Sequence, residues 1–145
     1  MEEEIRDLQA FLKENAEKNV PVFYVASPRF KDKDGEPIYW ELHGVTNNEI
    51  DKLQKRNTKY APVKGTREVQ RSFNAEQFAL DLTIQSIVYP NLHDVELQQS
   101  YDACGAEELL KDMLTPGELA DLILAVNEAN GFKAGMDDKI KQAKN

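Results

Sequence analysis

The sequence predicts an α+β fold, a mostly α-helical bundle with one β-hairpin near the N-terminus. A helix-start pattern predicts the helices: a capping residue at Thr46, Asn74 and Thr115 is followed three positions later by Glu or Gln. Two segments rich in β-branched and aromatic residues flank the turn signal Asp34-Gly35 and predict the hairpin. With 145 residues, the chain is expected to form a single domain.

Residues 1–17 are predicted to form an N-terminal helix. The apolar residues of this segment fall on one helical face: Ile5, Leu8, Phe11 and Leu12. Acidic residues at its start suit the positive end of the helix dipole. The period then changes, and residues 20–45 are predicted to form the hairpin.

Alternation along the second strand of the hairpin places Trp40 and Leu42 on one face and Tyr39 and Glu41 on the other. This predicts that Trp40 lies in the core. The alternative is that Trp40, Tyr39 and Phe23 form an exposed aromatic platform for a ligand.

Residues 46–131 are predicted to be the helical part of the domain. A helix begins at Thr46 and fades near Asn57, and residues 55–71 are expected to form a long mobile loop, which is the only locally basic stretch. The helix over residues 74–89 is apolar around much of its circumference, so it is expected to be central.

Three further helices are predicted over residues 94–102, 106–113 and 116–129. The last has proline at its first position and Asn130-Gly131 as a stop signal. Residues 132–145 form a polar tail, expected to be frayed or partly helical.

The charge of the chain argues against nucleic-acid and membrane partners. The net charge is −8, from 18 basic and 26 acidic residues, whereas a protein that neutralises phosphates needs a basic face. No apolar run approaches the ~20 residues that span a bilayer, and the acidic N-terminus is unlike a signal peptide. We therefore expect a cytoplasmic protein.

The sequence contains no catalytic, cofactor or metal pattern. His43 and His93 belong to no short-range ligand motif. They could act as a base only beside a nucleophile and an orienting group, for which the sequence gives no sign. The segment 30–41 superficially resembles a calcium loop, but its first ligand position is Phe30. Cys104 is expected to be a small half-buried side chain, with a reactive thiol as the alternative.

In order and spacing, the chain resembles the XkdN-like tail assembly chaperones of long-tailed phages and defective prophages. Five segments carry the resemblance: residues 27–42, 89–101, 105–110, 113–119 and 126–132. The resemblance implies a non-enzymatic chaperone without cofactors that keeps the tape-measure protein soluble and helps tail-tube protein polymerise around it. It identifies no functional residue, and self-association is left open.

Candidate partner-binding residues therefore come from apolar pattern alone. They form an N-terminal stripe (Leu8, Phe11 and Leu12) and a C-terminal stripe (Leu119, Leu122, Ile123 and Val126). The alternative for both stripes is the intramolecular core. Rival functions are a structural tail component retained in the virion, an enzyme, or a small acidic interaction domain with another role.

Overall fold

A computed structural model describes residues 8–132, in which five α-helices and two small antiparallel sheets form an α+β fold. The elements in chain order are β1 (Val22–Tyr24), β2 (Trp40–Leu42), α1 (Asn47–Arg56), β3 (Thr58–Pro62), β4 (Val69–Phe73), α2 (Ala75–Ser86), β5 (Ile87–Tyr89), α3 (Val95–Ser100), α4 (Ala106–Met113) and α5 (Pro116–Ala129).

The predicted hairpin exists, but it belongs to a three-stranded sheet with the order β1-β2-β5. The third strand comes from the C-terminal end of the predicted central helix, which stops at Ser86 instead of Tyr89. Ile87 and Val88 are β-branched, and the residue before Pro90 is disfavoured in a helix. These residues pair with β2 instead, so the prediction of a helix through Tyr89 was wrong at its last turn.

A second hairpin replaces the loop predicted over residues 55–71. β3 and β4 pair over five residues each, from Thr58 opposite Phe73 to Pro62 opposite Val69. Gly65 has φ +81°, the left-handed conformation that glycine adopts without strain, and it allows the tight connection. The prediction of one N-terminal hairpin in an otherwise helical chain was therefore incomplete.

The predicted N-terminal helix is not formed over the described part of residues 1–17. Only a short 3₁₀ turn is present, at Leu8–Phe11, and none of its residues is buried. An isolated helix of this length is marginal in water without a packed face, which these residues lack. The start of the predicted helix, residues 1–7, and the polar tail beyond residue 132 lie outside the described residues.

All three predicted helix starts are confirmed. The Thr46 and Thr115 side chains accept from the backbone N–H of the glutamate three residues later, and both glutamates complete a reciprocal capping box. Asn74 caps α2 by accepting from Gln77 N. The central position of α2 is also confirmed, because it packs against α1, α4, α5 and β5.

The core lies between α2, α4, α5 and the inner face of the three-stranded sheet. Trp40 is 1% exposed, so its predicted core position is confirmed. The residues with least exposure in this core are Trp40, Leu42, Leu109, Leu110, Leu122 and Val126.

Candidate interaction surfaces

Neither histidine forms an acid–base site. His43 Nε2 lies 3.3 Å from Glu41 Oε1, but the two side chains are 46% and 29% exposed on the sheet. His93 lines a groove of about 340 Å³ together with Asp81. Both oxygens of that carboxylate already accept hydrogen bonds from other side chains, so Asp81 is poorly placed to take a proton from His93.

Asp81 instead holds the C-terminal end of α1 to α2. Its Oδ2 accepts from Asn57 Nδ2 at 2.9 Å and lies 2.7 Å from an Arg56 guanidinium nitrogen, and its Oδ1 accepts from Gln77 Nε2 at 3.0 Å. Burial alone would raise the pKa of Asp81, but the hydrogen bonds from Asn57, Arg56 and Gln77 lower it below its ordinary value. The carboxylate is therefore structural, and it fixes the base of the second hairpin.

The segment that resembled a calcium loop is a tight turn. Asp32 Oδ1 accepts from the backbone N–H groups of Asp34 and Glu36, at 2.9 and 3.0 Å. Residues 8–132 contain no cluster of acidic, histidine and cysteine side chains suited to a metal ion. Cys104 is exposed, so the expectation that it is half-buried was wrong.

The structure separates the two predicted apolar stripes. In the C-terminal stripe, Leu122 and Val126 are fully buried, and Leu119 packs against the core. The core alternative therefore holds for these residues, whereas Ile123 is half-buried.

The N-terminal stripe is at the surface. Leu8 is 70% exposed, Phe11 is 82% exposed and Leu12 is half-buried. This stripe can reach a partner without unfolding the domain.

The outer face of the three-stranded sheet is an aromatic surface that sequence reasoning identified only in part. Phe23, Glu41 and Tyr89 lie opposite one another across the three strands. Phe23 and Tyr39 are each 61% exposed and Tyr89 is 53% exposed. Alternation along the second strand correctly placed Tyr39 and Glu41 on one face. Tyr89 joins this face only because β5 pairs with β2, and no local sequence pattern predicts that pairing.

The second hairpin, residues 58–73, is here called the basic arm. It carries Lys59, Lys64, Arg67 and Arg71 against one acidic residue, Glu68. All of its residues except Thr58 and Val63 are exposed. Phe73 fixes its base, with its ring centroid 5.5 Å from that of Phe78 on α2.

Comparison with known proteins gives these surfaces a context. The sequence profile of the family described as phage XkdN-like tail assembly chaperone protein matches residues 8–144 of the chain. The chain belongs to this tail assembly chaperone family. The resemblance noted in the sequence is thereby confirmed, and the family is non-enzymatic.

Two proteins of Bacillus subtilis (strain 168) are similar to this chaperone over nearly its full length. It is 32% identical over 148 residues to the phage-like element PBSX protein XkdN, covering 99% of this chain and 97% of XkdN. It is also 32% identical to the uncharacterized protein YqbN, covering 99% and 96% of the two chains. A crystal structure of the protein YqbN matches the fold with a TM-score of 0.73 at 27% identity, over 90% of this chain and all of that one.

The first segment that carried the resemblance has an architectural role in this chaperone. Arg29 donates to the Met113 carbonyl at the end of α4, and its guanidinium lies 3.7 Å from Glu118 in the first turn of α5. The neighbouring Ser27 is fully buried. These contacts hold the loop between β1 and β2 against the junction of α4 and α5, so the motif specifies the fold rather than a reaction.

No helix within residues 8–132 is both long and apolar enough to cross a membrane.

Proposed function

We propose that this chain binds the tape-measure protein in the cytoplasm of the bacterial host, keeps it soluble, and assists tail-tube polymerisation around it. The observation that carries the proposal is the exposure of Leu8 and Phe11 on a chain of net charge −8. Apolar side chains at the surface supply a contact for an amphipathic helix, and net charge keeps the carrier soluble. Membership of the tail assembly chaperone family supports the role.

Two properties of the N-terminal stripe favour it as the docking surface. None of its three residues belongs to the hydrophobic core or packs against it, and none in the turn Leu8–Phe11 is buried. Leu8 and Phe11, at 70% and 82%, are also more exposed than the aromatic residues on the sheet, where Phe23 is 61% and Tyr89 is 53% exposed. A partner that covers Leu8 and Phe11 would therefore remove large apolar side chains from water at little cost to the fold.

Co-expression tests the proposal. Fragments of the tape-measure protein from the same phage or prophage should stay in the soluble fraction when co-expressed with this chain. The complex should persist at moderate salt, because apolar burial is insensitive to ionic screening. Failure of the wild-type chain to keep any fragment soluble would refute the proposed function.

Substitution of the stripe locates the contact. Leu8→Ser, Phe11→Ser and Leu12→Ser together should weaken the complex more than they weaken the fold. A matched control removes exposed apolar side chains elsewhere, with Val95→Ser and Leu124→Ser, which are 65% and 63% exposed in the wild type. Fragment recovery at the wild-type yield by the folded triple variant would remove this stripe from the interface and make the aromatic face of the sheet the next candidate.

The rival role in the virion has its own test. A chaperone leaves the assembled tail, so mass spectrometry of purified particles should not detect this chain. Its presence there in stoichiometric amount would identify it as a structural component.

A further inference from the structure

The charge of the basic arm is opposite to that of the rest of the chain. Four basic side chains against one acidic give the arm a net charge of +3, and since the whole chain carries −8, the remainder carries −11. The ion pairs within residues 8–132 join Arg29 to Glu118, His43 to Glu41, Arg56 to Asp81 and Lys111 to Glu107. None of these ion pairs includes a basic side chain of the arm, so the four positive charges of the arm are available to a partner.

The two faces of the arm differ in chemistry. Residues directly opposite each other in an antiparallel pair share a face. The register places Tyr60 with Arg71 and Pro62 with Val69 on one face, whereas Lys59 with Ser72 lie on the other. Tyr60 is 67% exposed and Val69 is 60% exposed. The first face therefore presents an apolar surface with a guanidinium at its centre.

The two edges of the arm also differ. The two strands form a sheet of their own, so each has one edge without a strand partner within residues 8–132. β3 contains Pro62, which lacks a backbone donor, and β3 packs beside α1. β4 has the sequence Val69-Gln70-Arg71-Ser72-Phe73, contains no proline and is exposed throughout. An edge of this kind is a template for strand addition.

We propose that the free edge of β4 binds an extended segment of a partner protein by strand addition, and that this segment alternates apolar and acidic side chains on the face it shares with Val69 and Arg71. An acidic side chain beside Arg71 forms a favourable cross-strand pair. Apolar side chains beside Val69 and Phe73 cover the surface that the arm leaves open. This inference concerns a second binding surface and does not depend on the tape-measure role.

The apolar character of the face favours a protein segment over nucleic acid. Binding to phosphates uses a dense basic surface, and the net charge of −11 outside the arm repels a polyanion over long range. A short segment with few carboxylates experiences this repulsion less and gains apolar contacts that a phosphate backbone does not offer.

A designed peptide tests the proposal with the full-length protein. The probe is a fluorescent peptide with the repeating order valine, threonine, glutamate, threonine, which as a strand alternates valine and glutamate on one face. A matched peptide carries lysine in place of glutamate. Fluorescence anisotropy at an ionic strength of about 0.15 M, where the Debye length of about 8 Å screens the acidic remainder of the chain, should show binding of the glutamate peptide. The lysine peptide should bind at least about tenfold more weakly, as expected from replacing attractive by repulsive cross-strand charge pairs. Hydrogen exchange of the β4 amides should slow when the glutamate peptide binds.

Two variants assign the effect to the arm. Arg71→Glu should weaken the glutamate peptide about tenfold, since it reverses a cross-strand charge pair, and should restore part of the binding of the lysine peptide. Lys31→Glu changes the same charge at an exposed position outside the arm and should leave the affinity for both peptides nearly unchanged. A circular dichroism spectrum and thermal transition equal to those of the wild type show that each variant is folded.

Four outcomes of the peptide experiments would overturn the proposal. They are equal binding of the two peptides, insensitivity of a folded Arg71→Glu variant, unchanged exchange of the β4 amides on binding, and preference for a single-stranded oligonucleotide over the glutamate peptide. Self-association of the wild-type chain that Arg71→Glu abolishes, without peptide binding, would also overturn it and indicate a second copy of the chain as the occupant.

Discussion

The side chain of Asn130 joins three parts of the fold, and its removal has a calculable effect. Its Oδ1 accepts from the backbone N–H of Val45 at 2.7 Å, just before α1. Its Nδ2 donates to Ser86 Oγ at 3.1 Å, at the end of α2, and to the Val126 carbonyl at 2.9 Å in α5. Asn130→Ala deletes all three hydrogen bonds.

The expected cost follows from the burial of the groups left behind. Ser86 is fully buried and Val45 is half-buried, and each would lose its partner at about 1–3 kcal/mol. The Val126 carbonyl keeps the backbone N–H of Asn130 at 3.0 Å, so its loss adds little. We therefore expect Asn130→Ala to lower the free energy of unfolding by about 2–6 kcal/mol.

Urea denaturation followed by circular dichroism measures this loss. Asn127→Ala, one turn earlier on α5, is the matched control and should cost less than about 0.5 kcal/mol. A double-mutant cycle with Ser86→Ala tests whether part of the loss comes from the hydrogen bond between Asn130 and Ser86. Once Asn130 is gone, removing the orphaned hydroxyl should cost less than it does in the wild type. A loss below about 0.5 kcal/mol for Asn130→Ala, or strict additivity with Ser86→Ala, would refute the reasoning.

Two further variants test the centre of the fold. Leu82→Ala should destabilise the domain by about 2–5 kcal/mol in the same assay, because Leu82 is 2% exposed, and Leu124→Ala, at a 63% exposed position of α5, is the control. Similar losses for the two would contradict the central position of α2. Asp81→Asn should destabilise at neutral pH, where Asp81 is ionised and pairs with Arg56. Since folding lowers the pKa of Asp81 from its ordinary value of 3.8, the stabilisation is lost as pH falls below 3.8, and the gap to the wild type should narrow there. A constant gap between neutral pH and pH values well below 3.8 would assign the effect to something other than the carboxylate.

Local signals predicted the elements whose ends are determined by their own side chains. The capping boxes at Thr46 and Thr115 fix two helix starts through contacts between residues close in sequence. Gly131, with φ +81°, ends α5. The bounds of α5 were therefore predicted correctly. Those of α4 were also correct, although Gly105 at its start provides no side-chain cap. Alternation was also sufficient to place Trp40 in the core.

The elements that the sequence did not predict correctly depend on contacts between distant parts of the chain. Ile87–Tyr89 continue a helical apolar pattern, and only pairing with β2 makes them a strand. The arm was missed because Pro62 and its charges are typical of a loop. The N-terminal stripe has helical spacing, but no core face receives it in residues 8–132, so the spacing did not produce a helix there. The exposed aromatic face could be predicted only in part, because Tyr89 joins it through the pairing of β5 with β2.

The basic arm leaves the domain and returns to it at a single point. The backbone N–H of Asn74 donates to the Asn57 carbonyl at 2.9 Å, so the two residues that flank the arm are hydrogen-bonded to each other. The loop-closure entropy of an insertion grows only slowly with its length, and the ends of this one are held together by that hydrogen bond. None of the residues between these two asparagines belongs to the core. The site should therefore tolerate shortening, lengthening or replacement of the whole insert with little effect on folding, which makes it a natural position for evolution, or an engineer, to exchange one binding specificity for another.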